Sequence, residues 1–280
     1  MREISCAQVT QAVRWLCIEA NTQLPEDLRQ ALKRAVKTEQ SPVGREILGD
    51  IVENFCFAGN RNLPICQDTG MAVIFAELGQ EVHITGGVFE DAVNEGVAQG
   101  YVEGHLRCSV VADPLRRENT GDNTPAVLHL RLVPGDKLRL VVAPKGFGSE
   151  NMTALHMFKP SASRDDILEF ITATVDAAGS NPCPPIVVGV GLGGTAEWAA
   201  EQAKRALLRP VGQPASDSFY DDMEREALVR INALGIGPQG LGGSITALSV
   251  AILAGPTHIA GLPCAVSLGC HVTRHAETIL

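Results

Sequence analysis

The chain has 280 residues and 45% hydrophobic content, enough for a sizeable core, and its net charge of −9 excludes broad, nonspecific nucleic-acid binding. No apolar run approaches the ~20 residues needed to cross a bilayer. The opening MREISCAQVTQAV has no apolar leader core, so a soluble cytoplasmic protein is expected.

In chain order, helical periodicity is predicted over 3–20, 25–38 and 42–57. In the second segment Leu28, Leu32 and Val36 recur on one face, and in the third Pro42 stands near the start and Gly59 beyond the end. The first 60 residues read as a helical cap. MAVIFAEL at 71–78 reads as a buried strand, and VHIT at 82–85 is expected to pair with it across Gly79-Gln80. A helix follows over 88–102. The strands 126–133 and 137–144 flank Pro134-Gly135-Asp136, a hairpin signal.

Ser163-Arg-Asp-Asp166 before ILEFITATV is a capping pattern that starts a helix. A strand over 184–194, helices over 195–208 and 217–234, and strands over 246–255 and 265–270 complete the pass. Without regular βα alternation, the class expected is α+β: a helical N-terminal segment, then mixed sheets flanked by helices, in a single compact domain covering 1–280.

Three glycine-rich stretches stand out: KGFGSENMTAL at 145–155, GVGLGGTAE at 189–197 and GIGPQGLGGSITAL at 235–248. GVGLGG matches the GxGxxG dinucleotide pattern literally. It starts late, no βαβ unit lies behind it, and LRPVGQPASD occupies the place of the ribose-binding acid. A strand-to-helix turn that needs glycine, or an anion site on helix N-terminal amides, are the other readings. The 235–248 loop lacks the Gly-Lys-Ser/Thr ending of a P-loop.

Eight cysteines are scattered along the chain with no CxxC, which favours thiols or metal ligands over a disulfide framework. Cys17 in WLCIEA and Cys56 in NFCFAG read as small core hydrophobes. Cys66 in ICQDTG, Cys183 in NPCPPIVVG and Cys270 in SLGCHVTRHA differ: each lies at a strand end or a Pro/Gly-rich turn with polar neighbours. On spacing alone Cys108 and Cys264 compete with them.

ICQDTG, KGFGSEN, NPCPPIVVGVGLGGTAE, GIGPQGLGG, PTHIAGLP and CHVTRHA occur together and in this order. In this the chain resembles the α subunit of a two-subunit class I iron–sulfur fumarate hydratase, a family that includes L-tartrate dehydratase. The likeness runs from about residue 10 to the end, with one departure at Phe147, where many relatives have glycine. It implies an oxygen-sensitive [4Fe–4S] cluster on Cys66, Cys183 and Cys270, whose fourth iron, without a protein ligand, acts as a Lewis acid.

The resemblance further implies Asp68 as the base, against a plain turn-capping role for the same residue. Gln67, Arg107 and Gly148 would bind substrate, Gln67 alternatively the cluster sulfurs, and His258 would serve in catalysis. His271, Arg274 and His275 would support the cluster, with Glu150, Asn151 and Thr153 as polar support. The implied reaction is reversible dehydration of (S)-malate to fumarate, with tartrate to oxaloacetate as the alternative and a noncatalytic iron–sulfur redox sensor as a reading of another class. The implied partner is a fumarase β-type subunit, in a heterotetramer of two α and two β subunits.

Overall fold

The structure, a computed structural model, describes residues 2–280. In chain order its elements are β1 (Arg2–Ser5), α1 (Cys6–Thr22), α2 (Glu26–Thr38), α3 (Pro42–Arg61), β2 (Met71–Gly79), β3 (Val82–Thr85), α4 (Phe89–Glu103), β4 (Val127–Val133) and β5 (Leu138–Lys145). The second half holds a short α5 (Phe147–Glu150), β6 (Ala154–Phe158), α6 (Arg164–Ala178), β7 (Ile186–Gly194), α7 (Ala196–Ala206), α8 (Ser218–Ala233), β8 (Ala247–Thr257), β9 (Leu262–Gly269) and β10 (Ala276–Ile279). Helices with mixed sheets make the α+β class expected. Among the described residues no helix is long and apolar enough to cross a membrane.

The chain forms two compact units. One comprises the residues up to Pro25, then 55–147 and 274–280; the other comprises 26–54 and 148–273. The helices of the first 60 residues are shared out, with α1 in the first unit and α2 in the second.

In the first unit a four-stranded sheet has the order β10-β5-β2-β4. β4 and β5 do not pair as the hairpin signal suggested. β2 lies between them, parallel to β4 and antiparallel to β5, with Phe75 opposite both His129 and Val141. The five buried residues Ala72 to Ala76 explain this, because a strand apolar on both faces is best placed in the middle of a sheet. β3 pairs in parallel with β1 rather than with β2.

The partner strand β1 arises because α1 starts later than its periodicity suggested. Ser5 caps it: Gln8 N–H donates to Ser5 Oγ at 3.3 Å, and Ser5 N–H donates to Gln8 Oε1 at 2.9 Å. α1 and α4 then cover the sheet, burying Val9, Val13 and Leu16 with Val93, Val97 and Ile74. Each such side chain contributes roughly 1.5–3 kcal/mol on burial.

In the second unit the sheet order is β6-β9-β7-β8. β6, absent from the sequence reading, pairs with β9, as β10 pairs with β5 in the first unit. The β7 residues alternate strictly. Ile186, Val188 and Val190 enter a core with Ile167, Leu168 and Ile171 of α6 and Ala227 and Ile231 of α8. The opposite face carries Gly189 and Gly191, against α7. A Cβ there would lie 2.1 Å from Ala203 O and 1.9 Å from Ala199 O. The GxGxxG-like run therefore serves close packing of helix on strand.

A buried carboxylate ties the ends of the second unit together. Glu39, just past α2, is 2% exposed. It accepts from Ser41 N (2.8 Å), Ser244 N (2.8 Å), Ser244 Oγ (3.0 Å) and Ile245 N (2.9 Å). Burial alone would raise its carboxyl; these hydrogen bonds outweigh burial and hold it below the ordinary range. A carboxyl lowered in the folded state adds stability above its unfolded pKa, and that stability is lost as pH falls through the folded value. Glu39→Gln should cost about 1.5–3 kcal/mol at pH 7. The gap to wild type should narrow below about pH 4.3. Urea midpoints of both proteins at pH 7 and pH 4 check this; an equal gap at both would rule it out.

Candidate active site

The turn at 66–70 follows a buried Ile65 and is matched group by group within the first unit. The Asp68 carboxylate accepts from Gly70 N through Oδ1 and from Phe147 N through Oδ2, each at 3.0 Å. Its main-chain carbonyl accepts from Arg274 Nη2. The Gly70 contact is the turn-capping bond anticipated for aspartate; the Phe147 amide adds a second, long-range hold. One sequence thus satisfies the bland reading of Asp68 and leaves its carboxylate fixed and half-buried.

Thr69, buried, clamps the main chain of Arg107. Its Oγ1 accepts from Arg107 N at 2.9 Å and donates to Arg107 O at 3.2 Å. The Tyr101 hydroxyl reaches Thr69 O at 2.9 Å and Gly70 O at 3.1 Å. Burial, with the Cys17 thiol and Asp68 nearby, pushes the Tyr101 phenol up, so it stays a donor. Asn123 completes the turn: Nδ2 donates to Gly70 O at 3.0 Å, while Oδ1 accepts from Ser109 N and Val110 N at 2.7 and 3.1 Å. The Arg107 side chain itself is exposed, as is Gln67, whose Oε1 lies 3.4 Å from Cys66 Sγ.

Arg274 is only 5% exposed. Apart from Asp68 O it has few partners: its Nε and Nη1 have no acceptor among the described residues. A buried guanidinium with open donors is costly unless an anion meets it.

The second unit carries Cys183 and Cys270. Cys183 is exposed, and its carbonyl accepts from His271 N at 3.3 Å and lies 2.9 Å from His271 Nδ1. Cys270 is half-buried, and its Sγ accepts from Val272 N at 3.3 Å. The structure thus joins His271 to the Cys183 loop as well as to Cys270 in sequence. His258 is exposed in the turn after β8; its Nδ1 accepts from Ala260 N at 3.1 Å, so a neutral ring carries its proton on Nε2. Glu150 pairs with Lys204 of α7. Gly148, Asn151 and Thr153 are exposed and His275 is half-buried.

The thiols fall into two kinds. Cys17 and Cys264 are buried, and burial pushes each up to about 12, which makes them inert. Cys66, Cys183 and Cys270 are accessible to some degree, as are Cys6, Cys108 and Cys56, the last expected in the core. No group of three or more His, Cys, Asp and Glu side chains gathers as the shell of a single metal ion among the described residues. Taken unit by unit, the chemistry suits a sulfur-bound anionic group: the second unit offers the accessible Cys183 and Cys270 thiols and an N–H donated to Cys270 Sγ, and the first offers the partly accessible Cys66 thiol and, separately, the open donors of Arg274.

Thr69, Tyr101, Asn123 and Gln239 escaped the sequence reading. For Thr69 the signal was present in its place beside Asp68, and for Gln239 in the glycine loop that carries it. Thr69→Val keeps the shape but strips both bonds from the Arg107 main chain. It should destabilise the chain by about 1–3 kcal/mol, read as a lower urea midpoint with unchanged slope; an unchanged midpoint would count against the clamp.

Comparison with known proteins bears on this arrangement. The family model described as fumarate hydratase (Fumerase) matches residues 10–279. A protein of Methanocaldococcus jannaschii, provisionally named L(+)-tartrate dehydratase subunit alpha, is 40% identical over 276 residues, covering 96% of both chains. The L(+)-tartrate dehydratase subunit alpha of Escherichia coli O157:H7 is 28% identical over 276 residues, covering 98% of this chain and 91% of its own. That of Escherichia coli UTI89 is 29% identical over 270 residues, covering 95% and 89%.

Proposed function

This chain belongs to the fumarate hydratase family, a family of hydro-lyases, and on that premise we propose that it is the α subunit of a cytoplasmic iron–sulfur enzyme that removes water from a small 2-hydroxy diacid. (S)-Malate, giving fumarate, is the first substrate. L-Tartrate, giving oxaloacetate, is the second reading, favoured by the names of the relatives that match almost end to end. The partner is a β-type subunit, in a heterotetramer of two α and two β chains; the relatives' designation as alpha subunits supports a partner.

Cys66, Cys183 and Cys270 hold the [4Fe–4S] cluster in this proposal. When bound, the cluster supplies an open iron as a Lewis acid toward the substrate hydroxyl. The remaining work falls to side chains. Asp68 takes the proton from the carbon next to a carboxylate. The observation that carries this role is its carboxylate, held by two main-chain amides and so fixed in orientation before substrate arrives.

Arg107 presents an exposed guanidinium on a clamped main chain, suited to bidentate capture of a carboxylate. Gln67 and the Gly148 amide add hydrogen bonds to substrate. His258, with its Nδ1 engaged in its own turn, offers Nε2–H as a donor. His271, Arg274 and His275 would support the cluster, and Glu150 and Asn151 would support the loop that carries Gly148.

The test is anaerobic reconstitution of the chain with its β-type partner, followed by assays of malate and L-tartrate dehydration. Asp68→Asn should keep the iron content and lower turnover by about 10²–10⁴-fold. Turnover that survives places the base elsewhere. An iron-loaded complex that dehydrates neither diacid would favour the redox sensor instead.

A further inference from the structure

The loop at 235–246 has no part in the chemistry above, yet it is built with unusual care. Gly237 N donates to Thr246 Oγ1 at 3.1 Å, Gly242 N donates to Ile236 O at 2.9 Å, and Glu39 grips Ser244 and Ile245 from behind. At its tip Gln239 has φ of +54°, in the left-handed region that non-glycine residues avoid. Cys183 has the same φ of +54°. Such conformations persist only where surrounding contacts enforce them, and they cluster at functional sites.

The two strained residues are linked through one acceptor. Pro184 O, next to Cys183, accepts from Gln239 N and from Gln239 Nε2, both at 2.8 Å. That fixes which end of the side-chain amide faces Pro184, since only the NH₂ end can donate. Gln239 Nε2 also stands 3.2 Å from His271 Nδ1, and that nitrogen lies 2.9 Å from Cys183 O. A carbonyl only accepts, so the shorter contact puts the imidazole proton on Nδ1. Gln239 and His271 thus close on adjacent carbonyls of the Cys183–Pro184 segment, from two different loops.

We propose that Gln239 is a positioning residue that holds Cys183 in its left-handed conformation through Pro184 O, with Glu39 anchoring the loop that delivers it. The proposal deepens the reading of Cys183 as a cluster ligand and rests on it for its purpose, though not for its geometry. Removing the amide would let the 183–184 segment relax and would change how the thiol is presented.

The test uses the cluster-free full-length chain. Brief alkylation with N-ethylmaleimide, followed by peptide mass spectrometry, gives a separate rate for Cys66, Cys183 and Cys270. Gln239→Gly removes the side chain while relieving the left-handed backbone, so its urea midpoint should stay near wild type. Gln239→Glu keeps the size but sets an acceptor against Pro184 O. In both, the Cys183 rate should change roughly fivefold or more, with Cys66 unchanged, corresponding to release of about 1 kcal/mol of backbone strain. Iron retained per chain after reconstitution should fall.

An unchanged Cys183 rate in both variants overturns the proposal, as does a uniform change in all three thiols that tracks the urea midpoint. The two readings fail separately. If Cys183 responds but the wild type takes up no iron, the brace stands and the ligand role falls. If the wild type takes up iron while Cys183 is indifferent to Gln239, the reverse holds.

Discussion

The candidate site groups of the first unit depend on satisfying one turn. Residues 68–70 place a half-buried carboxylate, a buried hydroxyl and three bonded main-chain carbonyls within three positions, and polar groups removed from water must find partners. The partners come from four distant places: Tyr101 on α4, the 107–123 loop, the amide of Phe147 past β5, and Arg274 before β10. Tyr101, Asn123 and Arg274 are themselves buried, and Asn123 also holds Ser109 N and Val110 N. The turn therefore organises the loops around it, and the carboxylate at its head gains a set orientation.

The three glycine stretches look alike as strings and do different physical work. Gly189 and Gly191 remove side chains so that α7 can lie against β7. The 145–149 stretch delivers the Phe147 amide to Asp68. That bond uses only the main chain, so it does not depend on the Phe147 side chain, whose ring is exposed. The 235–246 loop carries Gln239 to Pro184. In each case glycine permits a backbone approach, and the function belongs to the group that the approach brings in.

Where local pattern and long-range pairing agreed, the fold was legible. The cap at Ser163, the amphipathic α2 and the apolar β2 and β7 all follow from neighbours in sequence, whereas the periodicity passes over the cap at Ser5. Where pairing was decided at long range, local signals misled. Pro134-Gly135-Asp136 is a genuine turn, but β2, apolar on both faces, takes the place between the strands that flank it. β6 and β10 are short edge strands whose formation depends on β9 and β5, and nothing local announces them.

The sequence by itself determined the class of the fold and the family, because those rest on residue types and their order, and it singled out Cys66, Cys183 and Cys270 as the proposed ligands. It also named Asp68, since an acid beside a cysteine in a tight turn is visible in the string. Only the tertiary structure decided how these groups are held: the Phe147 amide on Asp68, the Thr69 clamp on Arg107, and Gln239 and His271 closing on the Cys183 loop. The reason is physical. A hydrogen bond forms between groups a few ångströms apart in space, whatever their separation along the chain, and here that separation ranges from 38 to 88 residues.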